Sequence, residues 1–106
     1  MEIRQVRYFL AVARSRNFSR AAERVHITQP ALSQQIRKLE EELCTPLFER
    51  HRQGVSLTPA GMAFYAYALA ITDQTERIKA HLKRLYDTGT HGRPARPPCK
   101  GSYKHF

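Results

Sequence analysis

The sequence predicts a mainly α-helical fold in which three helices and a short β-hairpin lead into a long fourth helix. Three observations carry this expectation. Apolar residues recur at helical spacing in four separate segments, while β-branched and aromatic residues cluster around "LFERHRQGVSL". Capping residues stand where three of the segments should begin: Asn17, Thr28 and the Thr58-Pro59 pair. Pro46 separates the third helical segment from the hairpin.

In "MEIRQVRYFLAVARS", Ile3, Val6, Leu10 and Ala13 form one stripe, which Phe9 widens. Asn17 caps a short second helix, "FSRAAERV", whose Ala21 and Ala22 allow a neighbour to approach closely. In the third segment Leu32, Ile36, Leu39 and Leu43 share a narrow inward seam. Thr28 caps it, and Pro30 is tolerated in a first turn whose N–H groups have no intrahelical acceptors. "LFERHRQGVSL" reads as a two-stranded hairpin with Gly54 at the turn.

Thr58-Pro59 opens a fourth helix over residues 59–87, a span of about 44 Å. Phe64, Ala68, Ile71, Thr75, Ile78, Leu82 and Leu85 step alternately by four and three. That is a coiled-coil-like seam, and it predicts pairing with a second copy of the chain.

The chain has 106 residues, 42% of them apolar, which allows one small domain with an appended element. No apolar run approaches the roughly 20 residues that cross a bilayer, and no signal-peptide pattern opens the chain. Cys44 and Cys99 form no metal or disulfide pattern, so a reducing cytoplasm is the expected location. His26, His51, His81, His91 and His105 show no metal-ligand spacing, and no Gly-rich phosphate loop is present. The expectation is a protein that is not an enzyme and needs no metal or cofactor.

The formal net charge is +9, of which residues 1–58 contribute +4, residues 59–87 +1, and residues 88–106 +4. Such a balance points to a polyanionic partner such as nucleic acid. The last of these segments contains 3 Gly, 3 Pro and no acid, and is expected to be a disordered basic tail.

Two short helices joined by a tight turn make a helix-turn-helix candidate at residues 18–43. With Leu32 taken as inward, Pro30, Ser33, Gln34 and Arg37 point outward from the first half of the third helix. Gln pairs with adenine edges, Arg with guanine, Ser with several bases, and a proline ring can meet a thymine methyl. Thr28 and Gln29 sit at the helix start, where N–H groups and the dipole favour a phosphate. Glu40, Glu41 and Glu42 lie on the C-terminal turns, which rise out of the groove in this docking mode. Lys38 is expected to pair with Glu41 or Glu42, and Arg37 with Glu41.

"FSRAAERVHITQPALSQQIRKLEEEL", then "PLFER" and "VSLTPAG", together with the opening "RYFLAVA", closely resemble the N-terminal winged helix-turn-helix of LysR-type transcriptional regulators. The resemblance runs in order from residue 1 to about 87. It implies a bacterial DNA-binding domain over residues 1–58 (three helices plus a β-hairpin wing) and a linker helix over 59–87 that dimerises. Thr28, Gln29, Pro30, Ser33, Gln34 and Arg37 then belong to the recognition-helix region and Arg50 and Arg52 to the wing. Asn17 and Ser19 fall where family members commonly touch phosphate. The partners implied are double-stranded DNA, read as an interrupted inverted repeat, and a second copy in a dimer or in the tetramer common in the family.

Two positions depart from the family pattern. Cys44 stands where most members have Gly, and Gln53 where a second wing Arg is usual, which leaves Arg52 as the neighbouring candidate for that phosphate contact. Family members continue into a two-lobed α/β effector-binding domain. Residues 88–106 resemble no part of it, so no small-molecule effector site is expected in this chain. A rival expectation follows: a dimerisation module that pairs with a full-length regulator through the linker helix.

Overall fold

The structure is a computed structural model that describes residues 1–89. The expected basic tail lies outside the described residues from Thr90 onward. Elements run in the order α1 (Ile3–Ser15), α2 (Phe18–Arg24), α3 (Gln29–Leu43), β1 (Phe48–His51), β2 (Gly54–Leu57) and α4 (Pro59–Gly89). Residues Met1–Glu76 form one compact unit and a second begins at Arg77. The boundary therefore falls inside α4, because the first turns of that helix supply core to the N-terminal unit.

The expected caps are in place. Asn17 Oδ1 accepts the Arg20 N–H at 2.8 Å, and Thr28 Oγ1 accepts that of Ala31 at 3.2 Å. Thr58 Oγ1 accepts the Gly61 N–H at 2.9 Å and donates to the Pro46 carbonyl at 2.8 Å. The hairpin is antiparallel, pairing Phe48 with Leu57 and Arg50 with Val55. Arg52 and Gln53 make its turn, while Gly54 opens β2. Gly54 has φ 136°, and a Cβ there would lie 2.7 Å from the Arg16 carbonyl oxygen. Glycine is required at this position by both torsion and space.

The core of the first unit centres on Phe9, which is fully buried. Its ring lies 5.1 Å from Phe48 and 4.8 Å from Phe64, the latter edge-on. The inward face of α1 is rotated from the one expected. Gln5, Val6, Phe9, Leu10 and Val12 are buried, Ala13 is half-buried and Ile3 is exposed. Aromatic partners on β1 and α4 draw the helix round toward Phe9. Of the α3 seam, Leu32, Ile36 and Leu39 are buried and Leu43 is half-buried, as expected.

The expected seam of α4 needs correction at its start. Phe64 and Ala68 are buried in the core of their own unit, and half-buried Ile71 packs against it. Thr75 is half-buried, with its hydroxyl donating to the Ile71 carbonyl at 2.8 Å. The physical reason is competition for one face: Phe9 and its neighbours already cover Phe64 and Ala68. In the second unit, Ile78, Leu82 and Leu85 remain exposed at 55%, 58% and 54%.

Candidate nucleic-acid interface

The first half of α3 carries the outward polar face. Thr28, Pro30, Gln34 and Arg37 are exposed, while Gln29 and Ser33 are half-buried. Gln29 Nε2 donates to Ser33 Oγ at 2.7 Å, so these two side chains are already ordered against each other. No acidic residue occupies the first turn of α3 or of α2, and both helix starts are free of carboxylates that would repel a phosphate. Asn17 and Ser19 are exposed at the start of α2.

The wing is brought to the same region by a contact that the linear sequence did not reveal. The Arg50 guanidinium carbon sits 4.2 Å from the centre of the Phe18 ring, a cation–π arrangement. Phe18 is the first residue of α2, so the stack places the wing arginine beside Asn17 and Ser19. Arg52 is exposed in the hairpin turn with Gln53. The Arg16 carbonyl, just before α2, accepts the Val55 N–H at 3.3 Å and holds β2 to the same corner.

The acidic end of α3 differs from expectation in detail. Among the described residues, no ion pair joins Arg37 or Lys38 to Glu41 or Glu42. Glu42 instead meets the Met1 ammonium at 2.7 Å. Glu40 accepts the backbone N–H groups of Leu47 at 2.7 Å and Phe48 at 3.2 Å. A carboxylate seven residues before its donor could be recognised only once Pro46 had turned the chain back.

Cys44 adopts the left-handed conformation, φ 55° and ψ 34°, that its position demands. Thr45 N–H bonds to the Glu40 carbonyl at 3.1 Å and Cys44 N–H to that of Glu41 at 3.1 Å, which is the Schellman closure of a helix. His26 takes a similar torsion, φ 61°, in the turn between α2 and α3, and its side chain is exposed. Among the described residues no helix is long and apolar enough to cross a membrane, and no cluster of His, Cys, Asp and Glu could hold a metal ion.

The sequence profile of the bacterial regulatory helix-turn-helix proteins of the lysR family matches residues 3–62. The regulator BudR of Klebsiella aerogenes is 59% identical over 76 residues, which cover 69% of this chain and 53% of BudR. A probable cat1 operon transcriptional activator of Acinetobacter lwoffii is 46% identical over 93 residues, covering 88% of this chain and 30% of that protein. This chain thus spans about half of the first relative and under a third of the second.

Among solved structures, the BenM DNA-binding domain in complex with benA site 1 DNA superposes with a TM-score of 0.80 at 41% identity. The match covers 83% of this chain and 99% of that one. The CbnR DNA-binding domain bound to DNA gives 0.76 at 39% identity, covering 79% and 97%. The profile match runs from α1 through the wing to the start of α4, and the chain belongs to the LysR family of bacterial regulatory helix-turn-helix proteins.

Proposed function

We propose that this chain is the DNA-binding and dimerising part of a transcription regulator, reading an inverted-repeat promoter site with one half-site per subunit. The observation that carries the reading is the carboxylate-free, outward polar face from Thr28 to Arg37, together with a wing whose Arg50 stacks on Phe18 at the start of α2 and whose Arg52 is exposed in the turn. The complexes of BenM and CbnR with DNA support it by similarity. Gln34 and Arg37 read base edges, with Ser33 and the Pro30 ring beside them. Thr28, Gln29, Asn17, Ser19, Arg50 and Arg52 hold phosphates. The role is non-catalytic and cytoplasmic.

Dimerisation falls to the part of α4 that its own core does not use. Ile78, Leu82 and Leu85 share one face by their spacing, and all three are exposed. This face also favours the second reading, a module that joins a full-length regulator as a mixed dimer. Co-expression with a full-length relative separates the two, since that reading requires heterodimers.

The DNA-binding reading is tested by measuring affinity for an inverted-repeat duplex across salt. Counterion release predicts a steep linear fall of log affinity with log salt, of slope about −0.9 for each phosphate neutralised. Binding indifferent to salt would sink the proposal.

A further inference from the structure

Glu40 belongs to a run of three glutamates but is bonded to the backbone, unlike the two that follow it. Its Oε2 accepts two peptide N–H groups, from Leu47 at 2.7 Å and Phe48 at 3.2 Å. Bonds to an ionised acceptor are roughly twice as strong as those between neutral groups. The two peptides open the wing, because Phe48 begins β1 and Arg50 lies two residues further on. The peptide joining Leu47 to Phe48 is gripped from its other end as well. Its carbonyl accepts the Thr58 N–H at 3.0 Å, and a Cβ on Gly61 would lie 2.1 Å from that oxygen. With Leu47 itself only 2% exposed, the start of the wing has no slack.

We propose that Glu40 is a positioning residue for DNA binding: its carboxylate fastens the wing to the recognition helix, so that Arg50 meets the phosphate backbone in register with the bases read by Gln34 and Arg37. The inference rests on the DNA-binding reading above. Glu40 sits on the same rigid helix as Gln34 and Arg37, whereas Arg50 reaches α2 through its stack on Phe18. Without the carboxylate the wing keeps its backbone ties to Thr58 and Arg16 but loses the two hydrogen bonds that register it to α3. Binding then carries the cost of restoring that register.

The experiment uses the full chain and an inverted-repeat duplex that it enriches from a random-sequence pool. Affinity across salt, ethylation interference and base preference are measured for Glu40→Gln, Glu40→Asp and Glu40→Ala. Val12→Ala, a truncation in the buried core that leaves Glu40 and its two N–H partners in place, serves as a stability control. Glutamine keeps an oxygen that can accept both N–H groups, and it should bind within about 3-fold of the parent. Aspartate keeps the charge but withdraws it by one methylene. It and alanine should bind about 10-fold or more weakly, with the salt slope reduced by about one phosphate per half-site. Interference at the wing-contacted phosphates should vanish while the preferred bases stay the same.

The inference is overturned if Glu40→Asp retains wing interference and slope, if it loses base preference as well, or if Val12→Ala reproduces its pattern. Unfolding of Glu40→Asp under binding conditions also counts against it, since the proposed role is positional. If the parent chain enriches no duplex, the DNA-binding reading itself fails, and that result needs no variant to be seen.

Discussion

Replacing Cys44 by glycine should make this protein more stable. The residue ends α3 with φ 55°, a torsion that costs an L-residue with a Cβ about 1–2 kcal/mol. The closing bonds, from Thr45 N–H to the Glu40 carbonyl and from Cys44 N–H to that of Glu41, are both 3.1 Å and use backbone alone. Glycine preserves them. The Cys44 side chain is exposed, so its removal opens no cavity. Against the gain stands the greater freedom of glycine in the unfolded chain, about 0.5–1 kcal/mol. The balance is about 0–1.5 kcal/mol in favour of Cys44→Gly, centred on about 0.75 kcal/mol, or about 3–6 °C in melting temperature at that centre for a domain of this size. Urea unfolding followed by helical circular dichroism, with reductant present, should show a higher midpoint at unchanged slope. Cys44→Ala keeps the Cβ and the torsional cost, and should stay within about 0.5 kcal/mol of the parent. A glycine variant no more stable than the alanine variant would refute the reasoning.

Other substitutions separate the parts of the interface and the fold. Gln34→Ala or Arg37→Ala should cost about 1–3 kcal/mol of binding and relax base preference in a competition against altered half-sites. Arg50→Ala with Arg52→Ala should weaken all duplexes alike and reduce the salt slope by about one for each phosphate no longer neutralised. Gly61→Ala would place a Cβ 2.1 Å from the Leu47 carbonyl oxygen, so thermal unfolding should show a loss of about 3 kcal/mol. Leu82→Asp puts a charge in the exposed stripe of the second unit, and sedimentation should shift from dimer toward monomer while the helical spectrum of the first unit persists.

Much of the fold was legible because its signals are local. Asn17, Thr28 and Thr58 cap the helices they were expected to cap, since a side-chain oxygen three residues before an N–H reaches it in any well-formed first turn. The inward seam of α3 was also legible, because a strict period leaves little choice of face. From that seam the outward residues of the candidate interface followed directly. The face of α1 was harder to read, as Ile3 and Phe9 offer two overlapping stripes. Phe48 and Phe64, from distant parts of the chain, decide for Phe9.

Periodicity shows that a face is apolar but not which surface covers it. Element order, the caps and the outward polar face of α3 follow from the order of residues alone, because each depends on neighbours within about four residues. The helix-ending site at Cys44 was marked only by the family resemblance, in which glycine is usual there. Packing in three dimensions was needed to assign Phe64 and Ala68 to their own core and to leave Ile78, Leu82 and Leu85 exposed. It was needed equally to rest Arg50 on Phe18, and to turn Glu40 from the acidic run toward the first peptides of the wing. These are contacts across a chain reversal. Their partners are chosen by where packing brings the backbone back, which no local pattern encodes.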